Sequence, residues 1–133
     1  MPVPGTLKRQ PINPTEIAKL LDAQFNIPSL ETLAYLQMVE RDSVGVDELA
    51  ETFNLSRKKT EDLLHSMTTK GLIIEAPSPK GKFSALHPRM TLTNIFKLYE
   101  KTLVQSLRER RATVDRVVNL LTPIYEEKTT ARG

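Results

Sequence analysis

Along most of the chain the apolar residues recur at helical spacing, and proline, asparagine and glycine mark the breaks between blocks. Asn13-Pro14 reads as a cap followed by proline at the first helical position, with Ile17, Leu20, Leu21 and Phe25 as the apolar stripe of a short first helix. Pro28-Ser29 opens a second helix with Ser29 as its cap; it carries Leu30, Leu33, Ala34, Leu36, Met38 and Val39, and Val44-Gly45-Val46 breaks it. Asp47 to Phe53 makes a short helix whose Leu49, Ala50 and Phe53 share a face. Asn54-Leu55 is a tight turn, since asparagine tolerates the left-handed conformation. Ser56 then caps a helix that runs through Leu63, Leu64 and Met67 to Lys70, and Gly71 stops it. Two short helices joined by so short a turn make a helix-turn-helix.

After Gly71 the period changes. Leu72-Ile73-Ile74 is a β-prone run, Pro77-Ser78-Pro79-Lys80-Gly81 is a turn cluster, and Lys82 to Leu86 returns as a second strand. A hairpin placed directly after the second helix of the pair is a wing. From Thr91 to Glu127 the only proline or glycine is Pro123, which is expected to kink or end the helix. A helix from Thr91 to Thr122 would span about 48 Å. Its stripe reads Leu92, Phe96, Tyr99, Leu103, Leu107, Arg110, Val114, Val118, Leu121, Tyr125, an eleven-residue period that favours straight or slightly right-handed coiling. The middle, Gln105 to Thr113, is polar apart from Leu107 and Ala112. The preceding domain is too small to cover such a stripe along its whole length, and a second copy is the simplest cover. Leu92, Phe96, Tyr99, Leu103, Leu107, Val114, Val118, Leu121 and Tyr125 are therefore the candidate dimerisation residues. The expected organisation is a flexible arm at 1–12, a winged helix-turn-helix domain at 13–89, a long dimerisation helix at 90–128 and a disordered tail at 129–133. The fold class is mainly α, with an α+β wing.

Composition narrows the chemistry. A chain of 133 residues with 39% hydrophobic content supports one compact domain and an extension. Without cysteine there are no disulfides, thiolate chemistry or Cys-based zinc sites, and His65 and His87 are too few for a metal cluster. No run approaches the ~18 apolar residues of a membrane span, and MPVPGTLKRQPINP lacks the apolar stretch of a signal peptide, so a soluble intracellular protein is expected. No glycine-rich phosphate loop, nucleophile elbow or HExxH motif is present. Nothing points to an enzyme, and no cofactor, metal or small-molecule ligand is expected.

The net charge of +3 says less than its distribution. Residues 14–55 carry eight acidic groups against two basic ones, whereas residues 56–97 carry eight basic against three acidic. That polarity suits a polyanion. Arg57, Lys58, Lys59 and Thr60 occupy the first turn of the second helix of the pair, the part that faces the major groove in a helix-turn-helix. Arginine and lysine there reach guanine O6 and N7 or phosphates, Thr60 a base edge or phosphate, and the Ser56 cap leaves backbone N–H groups near the phosphate backbone. Three consecutive cations oppose the helix macrodipole, which favours a polyanionic partner over simple solvation. Lys80 and Lys82 sit at the wing tip and Arg89 just beyond it, suited to backbone or minor-groove contact. Arg108, Arg110, Arg111 and Arg116 read as coil-surface charges pairing with Glu109 and Asp115, and His65 as a surface or packing residue.

The stretch LETLAYLQMVERDSVGVDELAETFNLSRKKTEDLLHSMTTKGLI, then the short wing, then FSALHP leading into the long helix, resembles the DNA-binding end of the archaeal TrmB family of transcriptional regulators. The resemblance implies a winged helix, homodimerisation through the helix after the wing, and operator binding by the helix that begins at Ser56. Larger members continue into a sugar-binding effector domain; this chain ends at Gly133, so sugar sensing is not expected. The expected function is a homodimeric, sequence-dependent regulator on double-stranded DNA, cytoplasmic and nucleoid-associated. Two readings stand beside it: an abundant chromatin-type DNA-binding protein, and a winged helix used as a protein-interaction module in a transcription or chromosome-segregation assembly.

Overall fold

A computed structural model of the chain describes residues 10–132. The elements in chain order are α1 (Pro14–Phe25), α2 (Ser29–Val39), β1 (Val44–Gly45), α3 (Val46–Phe53), α4 (Arg57–Lys70), β2 (Ile73–Glu75), β3 (Lys82–Ala85) and α5 (Pro88–Arg132). They form a winged helix followed by a long C-terminal helix, and the contacts divide the chain into one unit up to Phe96 and a second from Lys97. Of the arm expected at 1–12, residues 1–9 lie outside the described residues.

Local signals set most of the boundaries. The Asn13 side chain accepts the Glu16 N–H at 3.3 Å, Pro14 occupies the first helical position, and Asn26 closes α1 in the left-handed region at φ 58°. At 100° per residue Ile17, Ala18, Leu21 and Phe25 share one arc of α1 and face α2. Leu20, expected in that stripe, falls outside the arc and is exposed, while Ala18 is buried in its place. Helix α2 also departs from expectation. Ser29 is already inside the helix, Pro28 is the capping position, and its carbonyl receives the Glu31 and Thr32 N–H groups. Helices α3 and α4 are joined through Asn54, left-handed at φ 52°, with the Leu55 N–H returned to the Ala50 carbonyl at 2.8 Å.

The core is built where α2, α3, α4 and the sheet converge. Ala34, Tyr35 and Met38 of α2 meet Leu49 of α3, Leu63, Leu64 and Met67 of α4, and Val44, Leu72 and Ile73 of the sheet and its approach. The sheet has the order β1-β3-β2, antiparallel throughout; Val44 pairs with Phe83, Gly45 with Lys82, and Ile74 with Ser84. Strand β1 is absent from the sequence reading. Two residues carry no period of their own, and it is β3 that makes them a strand.

One buried ion pair fastens α4 to α2. Glu31 is 5% exposed, and its carboxylate receives Lys70 Nζ at 2.9 and 3.0 Å and the Ser66 hydroxyl at 3.0 Å. Gly71 follows at φ 82°, a conformation that L side chains rarely adopt, and its carbonyl accepts Asn94 Nδ2 at 2.8 Å.

Helix α5 begins at Pro88, two residues before the expected start, with His87 Nδ1 accepting the Arg89 N–H at 3.0 Å. Its 45 residues correspond to about 68 Å of helix. Thr91 and Ile95 are buried in the winged-helix unit, and the Thr91 hydroxyl donates to the Leu72 carbonyl at 3.3 Å. Helix α5 runs on through Pro123, so this proline does not end it. An interior proline removes one intrahelical hydrogen bond and crowds the carbonyl four residues back, here that of Asn119, which bends a long helix more readily than it ends one. Residues 129–132, expected as disordered tail, are helical, and Gly133 lies outside the described residues.

Replacing Lys70 by methionine strands the Glu31 carboxylate in the core and is expected to cost about 3 kcal/mol of stability. The Glu31→Gln/Lys70→Met double variant recovers most of that loss. Denaturant unfolding of the three proteins checks both statements.

Candidate nucleic-acid interface

The first turn of α4 stands clear of the core. Ser56 is its N-cap, with Oγ accepting the Lys59 N–H at 3.2 Å. Arg57, Lys58 and Lys59 are exposed. Thr60 corrects the sequence reading: the helical turn brings it inward, where it is fully buried and donates its hydroxyl to the Ser56 carbonyl at 2.9 Å. It has no access to a base or phosphate, and serves as a packed strut under the exposed turn.

The cations of this face differ in what holds them. Arg57 lies between two carboxylates, with Nε 3.0 Å from Glu61 Oε1 and Nη1 3.0 Å from Asp47 Oδ1. The register of β1 with β3 sets Lys82 beside Gly45 and the start of α3, where Lys82 Nζ reaches Glu48 Oε1 at 3.1 Å. Glu48 also accepts the Gly45 N–H at 3.3 Å and lies 3.8 Å from Arg41. The Lys82 hydrogen bond, then the Gly45 N–H, then the positive charges of Lys82 and Arg41 hold the Glu48 carboxyl below its ordinary value. Asp47, Arg57, Lys80 and Lys82 line one open cleft between the wing tip and the helix-turn-helix. At its rim the Glu75 carboxylate takes the Gly81 N–H at 2.9 Å and closes the wing turn.

Lys58, Lys59, Lys80 and Arg89 are exposed and carry no ion pair among the described residues. Arg89 sits on the first turn of α5 and is not part of the cleft. Lys70, counted with the basic half of the chain, belongs to the internal pair with Glu31 and offers no charge to a partner. The sequence reading does not include Asp47, Glu48 and Glu61 in the site. The spacing of Arg57 and Glu61 is a legible i,i+4 signal. The reach of Asp47 and Glu48 across the turn and to the wing is not, because it depends on the fold.

On α5 the residues of the expected stripe, Leu92, Phe96, Leu103, Leu107, Val114, Val118, Leu121 and Tyr125, are exposed and Tyr99 is half-buried. Val104, Val117, Leu120 and Ile124 add exposed apolar surface outside the stripe. Of the ion pairs expected along this helix, Arg111–Asp115 at 3.4 Å forms among the described residues. Those residues contain no group of His, Cys, Asp and Glu able to hold a metal ion, and no helix long and apolar enough to cross a membrane.

The chain is similar in sequence and in fold to known proteins. Over 117 residues it is 23% identical to a DNA-binding HTH-type transcriptional repressor, TrmBL2 of Thermococcus kodakarensis, covering 88% of the chain and 44% of the relative. The chain thus spans less than half the length of that protein. Among solved structures it is similar to TrmBL2, described as an archaeal chromatin protein with a novel mode of DNA binding, at TM-score 0.69 and 22% identity, over 84% of this chain and 43% of that one. It is also similar to a protein of Sulfolobus tokodaii, at TM-score 0.54 and 21% identity, over 69% of this chain and 97% of the other. Residues 21–89, just over half of the sequence, match the family described as sugar-specific transcriptional regulator TrmB, and they run from the end of α1 through the helix-turn-helix and wing to the start of α5. The chain belongs to the TrmB family.

Proposed function

We propose that the chain binds double-stranded DNA as a homodimer and regulates transcription, with the first turn of α4 in the major groove and the wing along the flanking backbone. The observation that carries this reading is Lys58-Lys59: two adjacent exposed cations with no ion pair among the described residues, on the leading turn of the second helix of a helix-turn-helix. Cations at a helix N-terminus oppose the macrodipole, and phosphate removes that cost. The Ser56 cap and the Arg57 and Lys58 N–H groups lie on the same turn, an arrangement suited to an anion. Lys80 meets the same partner from the wing, Lys82 joins it by exchanging Glu48 for a phosphate, and Arg89 gives a further hold on the backbone. Relatives named as a transcriptional repressor and as a chromatin protein that binds DNA support the same reading. The exposed apolar residues on α5 support pairing of two copies, which would set two α4 helices about 34 Å apart, one turn of DNA. Nucleoid association in the cytoplasm follows from DNA binding.

A second reading has a specific observation behind it. The structurally similar TrmBL2 is described as a chromatin protein, and this chain would then cover DNA with little choice of sequence. Affinity for many unrelated duplexes separates the two.

Fluorescence anisotropy on mixed-sequence duplex across a salt series tests the basic turn. The Lys58→Ala/Lys59→Ala variant is expected to bind more weakly and to lower the slope of log K against log salt by about 4, two lysines from each copy of the dimer and one for each phosphate no longer neutralised. Absence of binding by the unaltered protein at low salt would turn the winged helix into a protein-docking module. Sedimentation of Val118→Glu/Leu121→Glu is expected to give a monomer where the unaltered chain gives a dimer; a dimer that persists places the interface elsewhere. The free chain holds Lys82 on Glu48, so its contribution to stability is present above the ordinary carboxylate range and lost as pH falls through the lowered Glu48 value. In Lys82→Ala the Glu48 midpoint, followed by carboxyl-carbon NMR, moves upward.

A further inference from the structure

Arg57 differs from its neighbours in a way that assigns it a separate task. Its guanidinium carries five N–H donors. One, on Nε, is taken by Glu61 from its own helix; another, on Nη1, is taken by Asp47 from α3. The remaining donors are the second on Nη1 and both on Nη2. Two carboxylates flank one cation, so the cluster as a whole repels phosphate. These pairs are also exposed, with Asp47 87% accessible, and exposed pairs add little to stability. What they do is restrict a long, flexible side chain, from two elements, at the mouth of the cleft between α4 and the wing. A guanidinium fixed in this way and relieved of its net charge is suited to a guanine edge, where O6 and N7 accept two parallel N–H bonds. It is poorly suited to gripping backbone.

Resting on the DNA-binding reading above, we propose that Arg57 determines sequence preference by pairing with a guanine in the major groove, and that Asp47 and Glu61 are its positioning residues. Lys58 and Lys59 supply affinity that does not depend on sequence. Where no guanine meets Arg57, the donors that Asp47 and Glu61 leave free are desolvated without an acceptor, which counts against non-cognate DNA.

The test is a double-mutant cycle on discrimination. Binding of the full chain is measured on the duplex that the unaltered protein selects from a randomised pool and on a scrambled duplex of the same length. Arg57→Ala is expected to reduce the ratio of the two affinities about tenfold or more, with the salt slope unchanged, and Arg57→Lys does not restore it, since an ammonium cannot span O6 and N7 in a fixed plane. Asp47→Ala/Glu61→Ala lowers the same ratio, and adds nothing once Arg57 is alanine. Asp47→Asn/Glu61→Gln, which keeps an acceptor at both positions, retains part of the ratio. Carboxylate variants that tighten both duplexes by one common factor, whether or not Arg57 is present, overturn the proposal, because the acids are then only a brake on polyanions. Selection of no preferred duplex overturns it too, with DNA binding intact. If no duplex binds at low salt, it is the DNA-binding reading itself that fails. Unchanged melting of each variant shows that the fold is not what moved.

Discussion

The carboxylate of Glu31 lies almost out of reach of water between α2 and α4, in a position that only Lys70 and Ser66 make tolerable. Burying a charge without its partner costs several kcal/mol, so the last turn of α4 has essentially one acceptable seat against α2. Much follows from that seat. The chain leaves it through Gly71 in the left-handed region, which turns Leu72 and Ile73 into the core and starts the wing. The Gly71 carbonyl in turn receives Asn94, so the second turn of α5 is docked on the end of α4. With its C-terminal end pinned and Leu63, Leu64 and Met67 buried, α4 can only project its first turn outward.

The basic side chains from Arg57 to Arg89 divide into three kinds, which matters more than their number. Lys70 is structural. Arg57 and Lys82 are held by carboxylates of α3 and α4 within reach of solvent. Lys58, Lys59, Lys80 and Arg89 stand without ion pairs among the described residues. A surface organised in this way has a weaker long-range field than its lysines and arginines suggest, and a stronger dependence on what happens at close range, where held side chains exchange one acceptor for another.

The helix-turn-helix and the wing are legible because their boundaries are written locally. Asn54, Ser56 and Gly71 each do at one position what the fold requires there, and the Pro77–Gly81 cluster admits nothing but a turn. Features that depend on distant partners are not legible. Two residues of β1 become a strand only beside β3. Thr60 looks like a member of the basic run until the helical turn carries it inward, and Leu20 looks like core until the packing arc of α1 excludes it. Lys70 looks like surface charge because its partner lies thirty-nine positions earlier in the chain. Pro123 reads as a stop or a kink, and as a stop it fails because the turns on either side of it are already part of a 45-residue helix. On the candidate interface the cations are visible in the sequence and their acids are not.

Gly45 pairs with Lys82 at the edge of the sheet, and its φ of −92° is one that any residue adopts. The backbone therefore does not ask for glycine there; the neighbours do. A Cβ at this position would stand 3.3 Å from Lys82 Nζ and 3.7 Å from Glu48 Oε1, inside the space through which those two groups meet. Glycine at 45 thus lets Glu48 and Lys82 meet without displacing the end of the lysine side chain. A larger residue there leaves the backbone as it is and makes the Lys82 ammonium give way by a few tenths of an ångström, so the latch between the wing and α3 is set by how freely one lysine tip can move.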